Sequence, residues 1–228
     1  MVDFSKIELI VFDVDGTLAD TDDFYVEKCI KAICKIFPFT KKTSAEKVIR
    51  PLVNTGETVF HLFYRLLDLT GLDSLISKIH SRISVGNDYK YREISDMRET
   101  LFLLGRQYKL GILSSGGRNS TYAFLEKFGL TEIVDYILSA EDCRYIKPHS
   151  MPLILIAERA KVPIGKCLMV GDTVFDIICA KRAGAYSAAV KSGFDSAGFL
   201  RLWHADLLLD SVNDLPKYIL NENSEIEN

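Results

Sequence analysis

Long apolar runs are missing from this sequence. None approaches the roughly 18 residues that a membrane span requires, so an integral membrane protein is not expected. The first residues include Asp3, Lys6 and Glu8, where a secretion signal needs an unbroken apolar segment. Basic tracts are missing too, and the formal net charge of -3 argues against a nucleic-acid binder driven by phosphate contacts. Cysteine is sparse: Cys29, Cys34, Cys143, Cys167 and Cys179 are odd in number and form no Cys-x-x-Cys pair. Several lie in apolar surroundings, which reads as reduced core thiols rather than disulfides or a zinc site. A reducing cytoplasm fits. There is no internal repeat and no low-complexity linker. At 48% hydrophobic and 26% charged the composition is that of a globular protein, and 228 residues suffice for one large domain or one with a sizeable insertion.

The stretch that organises the chain is Glu8-Leu9-Ile10-Val11-Phe12-Asp13-Val14-Asp15-Gly16-Thr17. Its apolar part is too short for an ordinary helix and rich in β-branched and aromatic residues, so it reads as a buried strand. Buried parallel strands deliver ligand-binding groups at their carboxyl ends, and Asp13 and Asp15 sit there. Asp15-Gly16 alone is an ordinary turn signal. The rest of the chain decides between a turn and a site.

After Leu18 comes an acidic stretch in which Asp20, Thr21 or Asp22 can cap a helix from Phe24 to about Phe37, closed by Pro38. From Thr43 to about Tyr91 the pattern stays helical, with Val59, Leu62, Phe63, Leu66 and Leu67 on one face and breaks near Asn54-Thr55-Gly56 and Thr70-Gly71. From Met97 the periodicity alternates. Helices are expected at about Met97–Tyr108, Asn119–Phe128, Pro152–Ala160, Phe175–Ala183, Ser196–Trp203 and Val212–Leu220. Short strands are expected at Leu110–Leu113, Val134–Leu138, Lys166–Val170, Ser187–Val190 and Asp206–Leu209. Strands alternating with helices of about ten residues make βαβ units and a parallel sheet. The expectation is a doubly wound, Rossmann-like α/β core (residues 1–18 and 93–228) with a small helical cap (19–92) inserted after the first strand. A polar acidic tail follows the last helix.

In a parallel sheet all carboxyl ends lie on one edge, so Asp13/Asp15, Ser114, Lys147 and Asp172/Asp176 converge although the chain separates them widely. Carboxylates, a hydroxyl and an amine in one place describe a site for a cation and an anionic ligand together. A carboxylate nucleophile can take a phosphoryl group and split one hard displacement into two easier ones. A second carboxylate can protonate the departing oxygen and then take a proton from water, which requires a raised pKa. Hard oxygen donors suit Mg²⁺, and a lysine adds positive charge for the transferring phosphoryl. A serine hydroxyl and backbone N–H groups at the glycine-rich turn Ser114-Ser115-Gly116-Gly117 can hold phosphate oxygens.

These residues resemble the haloacid dehalogenase-like hydrolase superfamily, specifically its phosphatase branch with a small helical cap. Asp13-Val14-Asp15-Gly16-Thr17 is similar to its first motif, Ser114 after Gly111-Ile112-Leu113 to its second, Lys147 in Ile146-Lys147-Pro148 to its third, and Gly171-Asp172-Thr173-Val174-Phe175-Asp176 to its fourth. Ala180 through Ala185, Gly193-Phe194, Ala205-Asp206 and Asp210-Ser211 are similar to segments of phosphoglycolate phosphatase-like proteins. The resemblance implies Asp13 as nucleophile, Asp15 as general acid and base, and Ser114 and Lys147 as phosphate grips. It implies magnesium held by the Asp13 side chain, the Asp15 carbonyl and Asp172, with Asp176 in support. Substrate contacts would come from Thr17, Ser115 and Gly116, and from Thr55 and Gly56 in a cap loop.

Each element has a bland reading alone. Ser114-Ser115-Gly116-Gly117 can be a loop, Lys147 a surface lysine, and Asp172 and Asp176 a turn and a helix N-terminal acid. Their joint order, each at a strand end, favours the site. In the cap, Arg50, His61 and Arg65 read as helix residues rather than substrate contacts, and Phe60, Phe63 and Tyr64 as core. His149 has no assigned role, and the segment before Met97 lacks the Pro-x-Gly many relatives carry. An acid at Asp15 argues against a dehalogenase, whose halide leaves without a proton. The expected activity is magnesium-dependent hydrolysis of a small phosphorylated metabolite, phosphoglycolate-like as a first guess, by a monomer or homodimer. A sugar phosphomutase shares these core residues, and a silent phospho-ligand sensor is the rival of another class.

Overall fold

The computed structural model describes residues 4–20 and 92–220. Its strands are β1 (Leu9–Phe12), β2 (Ala19–Asp20), β3 (Arg92–Glu93), β4 (Lys109–Leu113), β5 (Tyr136–Leu138), β6 (Cys167–Gly171), β7 (Tyr186–Val190) and β8 (Leu207–Leu209). The helices are α1 (Met97–Gly105), α2 (Arg118–Lys127), α3 (Met151–Ala160), α4 (Val174–Ala183), α5 (Ala197–Leu202) and α6 (Pro216–Ile219). Six strands form one sheet in the order β5-β4-β1-β6-β7-β8, with every pairing parallel. No described helix is long and apolar enough to cross a membrane.

All four residues of β1 are buried, because helices cover both faces of the sheet. Ile10 and Phe12 join a cluster with Met97, Leu101 and Leu104 of α1 and Phe124 and Leu125 of α2. Leu9 and Val11 join a second cluster with Leu153, Ile156 and Ala157 of α3 and Cys179 and Ala180 of α4. The period-2 alternation of the strand thus splits a continuous apolar run between two helical layers. Each such side chain contributes roughly 1.5–3 kcal/mol on burial.

The chain leaves β1 toward β4 and β5 on one side, then crosses to β6 on the other, and that reversal opens a crevice at the carboxyl ends of β1 and β6. Asp13 follows the first strand and Asp172 the second.

The structure agrees with the expected α/β sheet and moves some edges. The last expected helix is split: a 3-10 turn at Val212–Asp214 precedes α6, because Pro216 starts a new first turn. Val134 and Asp135 precede β5 rather than lying in it, and the Asp135 carboxylate accepts the Leu110 N–H at 2.8 Å. Asp20 lies in β2, where Ala19–Asp20 pairs antiparallel with Arg92–Glu93, and the helix it was expected to cap falls outside the described residues. This ribbon joins Asp20 and Arg92, which border the undescribed segment, at the expected boundaries of the 19–92 insertion. Thr21 and Asp22, the helical pattern of 24–91 with Arg50, Thr55, Gly56, His61 and Arg65, Cys29 and Cys34, and the acidic tail lie outside the described residues. Cys143, Cys167 and Cys179 are free thiols.

Candidate active site

At the end of β1 the Asp13 N–H donates to the Val170 carbonyl at 2.9 Å, which keeps the backbone in the sheet one residue past the strand. The chain then doubles back. Leu18 and Ala19 N–H groups both donate to the Val14 carbonyl at 2.9 Å, and Gly16 N–H donates to the Ala19 carbonyl at 2.8 Å. Gly16 takes φ +80°, and a Cβ there would overlap the Asp172 carboxylate, so the position excludes a side chain twice over. The Thr17 side chain is buried, and its hydroxyl donates to Asp172 Oδ1 at 3.2 Å.

Beyond β4, the Ser114 Oγ accepts the Gly116 N–H at 2.9 Å. Ser114, Ser115 and Gly116 make the turn that opens α2, whose first N–H groups have no intrahelical partners. A Cβ on Gly116 would lie 3.1 Å from Ser114 Oγ and 3.9 Å from Asp15 Oδ2, so this turn and the end of β1 are neighbours. The loop after β5 is stitched to the same turn. Ala140 N–H donates to the Gly116 carbonyl at 3.0 Å, while Asp142 accepts from Ser139 N–H, Ser139 Oγ and Arg118.

That loop delivers Lys147. Its Nζ lies 2.5 Å from Asp13 Oδ1 and 2.7 Å from Asp176 Oδ1, with all three side chains less than a tenth exposed. Asp176 reaches this point because it belongs to a capping box. Its Oδ2 accepts the Thr173 N–H at 3.1 Å and the Thr173 hydroxyl at 2.6 Å, while Thr173 caps α4. Gly184, at φ +83°, ends the helix. Carboxylate oxygens of Asp13, Asp172 and Asp176 all lie within 4.8 Å of one another.

The electrostatics follow from burial. Desolvation pushes Asp13 up to about 7, with Asp176 and Asp15 adding to the rise and Lys147 opposing it. Desolvation pushes Asp15 to about 6, again against Lys147. Asp172 is raised well above the carboxylate range by burial and by Asp13 and Asp176; the Phe194 N–H and Lys147 oppose the shift. Burial alone would favour neutral Lys147, but Asp13 and Asp176 outweigh it and hold the lysine above its ordinary value. Asp15 Oδ1 is buried without a hydrogen-bond partner.

Asp13, Asp15, Asp172 and Asp176 thus face one lysine, with all-oxygen donors and an unmatched excess of negative charge. A hard divalent cation fits this set. Asp13 and Asp172 could hold it directly, while Asp176 is already engaged by Thr173 and Lys147.

The structure gathers Asp13, Asp15, Thr17, Ser114, Gly116, Lys147, Asp172 and Asp176. Ser115 lies in the same turn, partly exposed. Thr55 and Gly56 lie outside the described residues. His149 stacks on Tyr145 at 4.1 Å, its Nδ1 accepts the Met151 N–H at 3.0 Å, and its carbonyl accepts the Cys179 thiol, so it shapes the loop that carries Lys147. Reasoning from residue types missed the segment after β7, where Phe194 N–H donates to Asp172 Oδ2 at 2.8 Å. Only the similarity of Gly193-Phe194 to known proteins hinted at it.

The haloacid dehalogenase-like hydrolase family model matches residues 10–190. Among curated proteins the chain is similar to pyrophosphatase PpaX of Bacillus cereus (strain G9842), 26% identical over 219 residues, 96% of this chain and 99% of the relative. Among solved structures it is similar to a haloacid dehalogenase-like family hydrolase from Streptococcus pneumoniae, with TM-score 0.67 and 18% identity over 93% of this chain and 98% of the other. A predicted phosphoglycolate phosphatase from Haemophilus somnus matches with TM-score 0.65 and 18% identity over 94% and 99%. At these identities the structural matches establish the fold.

Proposed function

The chain belongs to the haloacid dehalogenase-like hydrolases, and on that premise we propose that it is a magnesium-dependent phosphomonoesterase acting through an aspartyl-phosphate on Asp13. The observation that carries this reading is the buried arrangement in which Lys147 joins Asp13 to Asp176, with Asp172 in the same carboxylate cluster.

A carboxylate oxygen of Asp13 attacks the substrate phosphorus, forming an O–P bond as the bond to the leaving oxygen breaks. Asp15, with its pKa raised to about 6 by burial, gives its proton to that oxygen, so an alcohol departs, or inorganic phosphate where the substrate is pyrophosphate. The resulting Asp15 carboxylate then takes a proton from water, whose oxygen attacks the phosphorus of the aspartyl-phosphate. Phosphate leaves, and the Asp13 carboxylate and protonated Asp15 are restored. The Ser114 hydroxyl and the Ser115 N–H hold the non-bridging oxygens, with Gly116 shaping the turn through its N–H bond to Ser114 Oγ, and Lys147 neutralises charge as it shifts between substrate and Asp13. Thr17 keeps Asp172 turned into the cluster. Asp13, the Asp15 carbonyl and Asp172 would hold magnesium, with Asp176 in support, and the bound ion would supply positive charge that favours ionised Asp13 and offsets charge on the phosphoryl group.

Residues 19–92 form the cap in this reading, with Thr55 and Gly56 reading the substrate. The substrate is a small phosphorylated metabolite. Phosphoglycolate is the first choice by resemblance, and pyrophosphate joins it because the curated relative carries that activity in its name. The free thiols of Cys143, Cys167 and Cys179 suit a reducing cytoplasm.

The test is a phosphate-release panel with Mg²⁺ over phosphoglycolate, pyrophosphate, sugar phosphates and nucleotides, run on wild type and Asp13→Asn. Release from at least one compound, lost in Asp13→Asn, is expected. Equal turnover by both proteins would refute the mechanism. Isomerisation of a sugar phosphate without phosphate release would replace it with a mutase.

A further inference from the structure

The segment Ser192 to Asp195 follows β7 and lies outside all four strand-end motifs, yet it touches the walls of the site from three directions. Ser192 Oγ donates to the Gly16 carbonyl at 3.3 Å, one residue past Asp15. Gly193 packs so closely on Asp172 that a Cβ there would overlap the carboxylate. The Phe194 N–H donates to Asp172 Oδ2 at 2.8 Å. Asp195 is only 3% exposed, and its Oδ2 accepts the Val174 N–H, the first of α4, at 2.6 Å.

A buried carboxylate at the head of the helix that bears Asp176 costs free energy unless a specific partner offsets it. The N–H at the start of α4 is such a partner, strengthened by the helix dipole. The bond fastens the end of the 192–195 segment to the helix that bears Asp176. With that end fixed, Gly193 and the Phe194 N–H are pressed against Asp172, whose other oxygen is held by Thr17. Asp172 is clamped from both sides, and one jaw of the clamp is anchored by Asp195.

We infer that Asp195 is a positioning residue for the divalent-cation site, fastening the Gly193-Phe194 backbone against Asp172 through its bond to Val174 N–H. The inference rests on the reading of Asp172 as a cation ligand given above. Groups that orient a metal ligand typically change metal affinity by about 10–100-fold when removed.

The experiment is calorimetric titration of the full chain with MgCl₂, without substrate, alongside thermal melts in chelator. Asp195→Ala weakens Mg²⁺ binding about tenfold or more. Asp195→Asn keeps an oxygen to accept the Val174 N–H and restores binding to within a few-fold of wild type, on the order expected for a preserved outer contact. Gly193→Ala, which drives a methyl into the Asp172 carboxylate, weakens binding as well and stands in for Asp195→Ala should that variant not fold. A purely structural aspartate would lower the melting temperature in chelator while leaving the Mg²⁺ affinity of the folded protein unchanged. Wild-type affinity in Asp195→Ala, or in Gly193→Ala, overturns the inference. Absence of Mg²⁺ binding by the wild type overturns the cation-site reading itself, and so is a different failure.

Discussion

Lys147 Nζ lies 2.5 Å from Asp13 Oδ1, although 134 residues separate the two in sequence. The lysine comes from the loop after β5 and the aspartate from the end of β1, and both are buried. Replacing Lys147 by Met leaves Asp13 and Asp176 without their shared counter-charge. Breaking one side of a buried pair costs about 3–5 kcal/mol. The melting temperature in chelator should fall accordingly, and phosphate release should fall with it. A Lys147→Met protein as stable and active as wild type would show that the pair is incidental.

Ser114 should be read through the Gly116 N–H that it accepts at 2.9 Å. Ser114→Ala removes both the hydroxyl proposed to bind phosphate and the partner that orders the turn. Loss of a preorganised hydrogen bond to a reacting anion costs roughly 2.7–4 kcal/mol, so kcat/KM should drop about a hundredfold or more. Steady-state kinetics on the best substrate from the panel check this.

Gly16→Ala meets two obstacles, a positive φ and the Asp172 carboxylate. A non-glycine residue in the left-handed region costs on the order of 1–2 kcal/mol, and the collision adds to it. The variant should melt lower than wild type and bind Mg²⁺ more weakly. Unchanged Mg²⁺ affinity would mean that Asp172 is not held by the β1 turn.

Asp15 carries the pH prediction. Its ordinary value is 3.8 and its folded value about 6, so the native state holds its proton more tightly than the unfolded chain. The stability this provides is complete below about pH 4 and is lost as pH rises through about 6. In chelator, the gap in melting temperature between Asp15→Asn and wild type should therefore shift in favour of the variant between pH 4 and pH 7. A gap independent of pH would contradict the raised pKa.

Much of the sheet was readable because β1, β4 and β6 are short apolar runs ending in polar residues, a pattern that long-range order cannot hide. The convergence of Asp13, Ser114, Lys147 and Asp172 followed from parallel topology alone. The ribbon Ala19–Asp20 with Arg92–Glu93 was not readable, because two-residue strands carry no periodicity. Nor was the split of the last helix read, although Pro216 marks it. The grip of Phe194 on Asp172 is made by a backbone N–H, which any residue there would supply, so side-chain chemistry gave no signal. Asp195 belongs to no motif, and only its bond to Val174 N–H shows that it sits at the head of α4.

The most direct measurement of Asp13 as nucleophile is capture of the phosphoryl group on the protein. Acid-quenched mixing of the protein, Mg²⁺ and a ³²P-labelled substrate from the panel should give label bound to the chain. It should be released by hydroxylamine, as an acyl phosphate is, and map to the peptide containing Asp13. Asp13→Asn should retain none. Label on another residue, or single-turnover phosphate release with no protein-bound label at any time, would contradict the account.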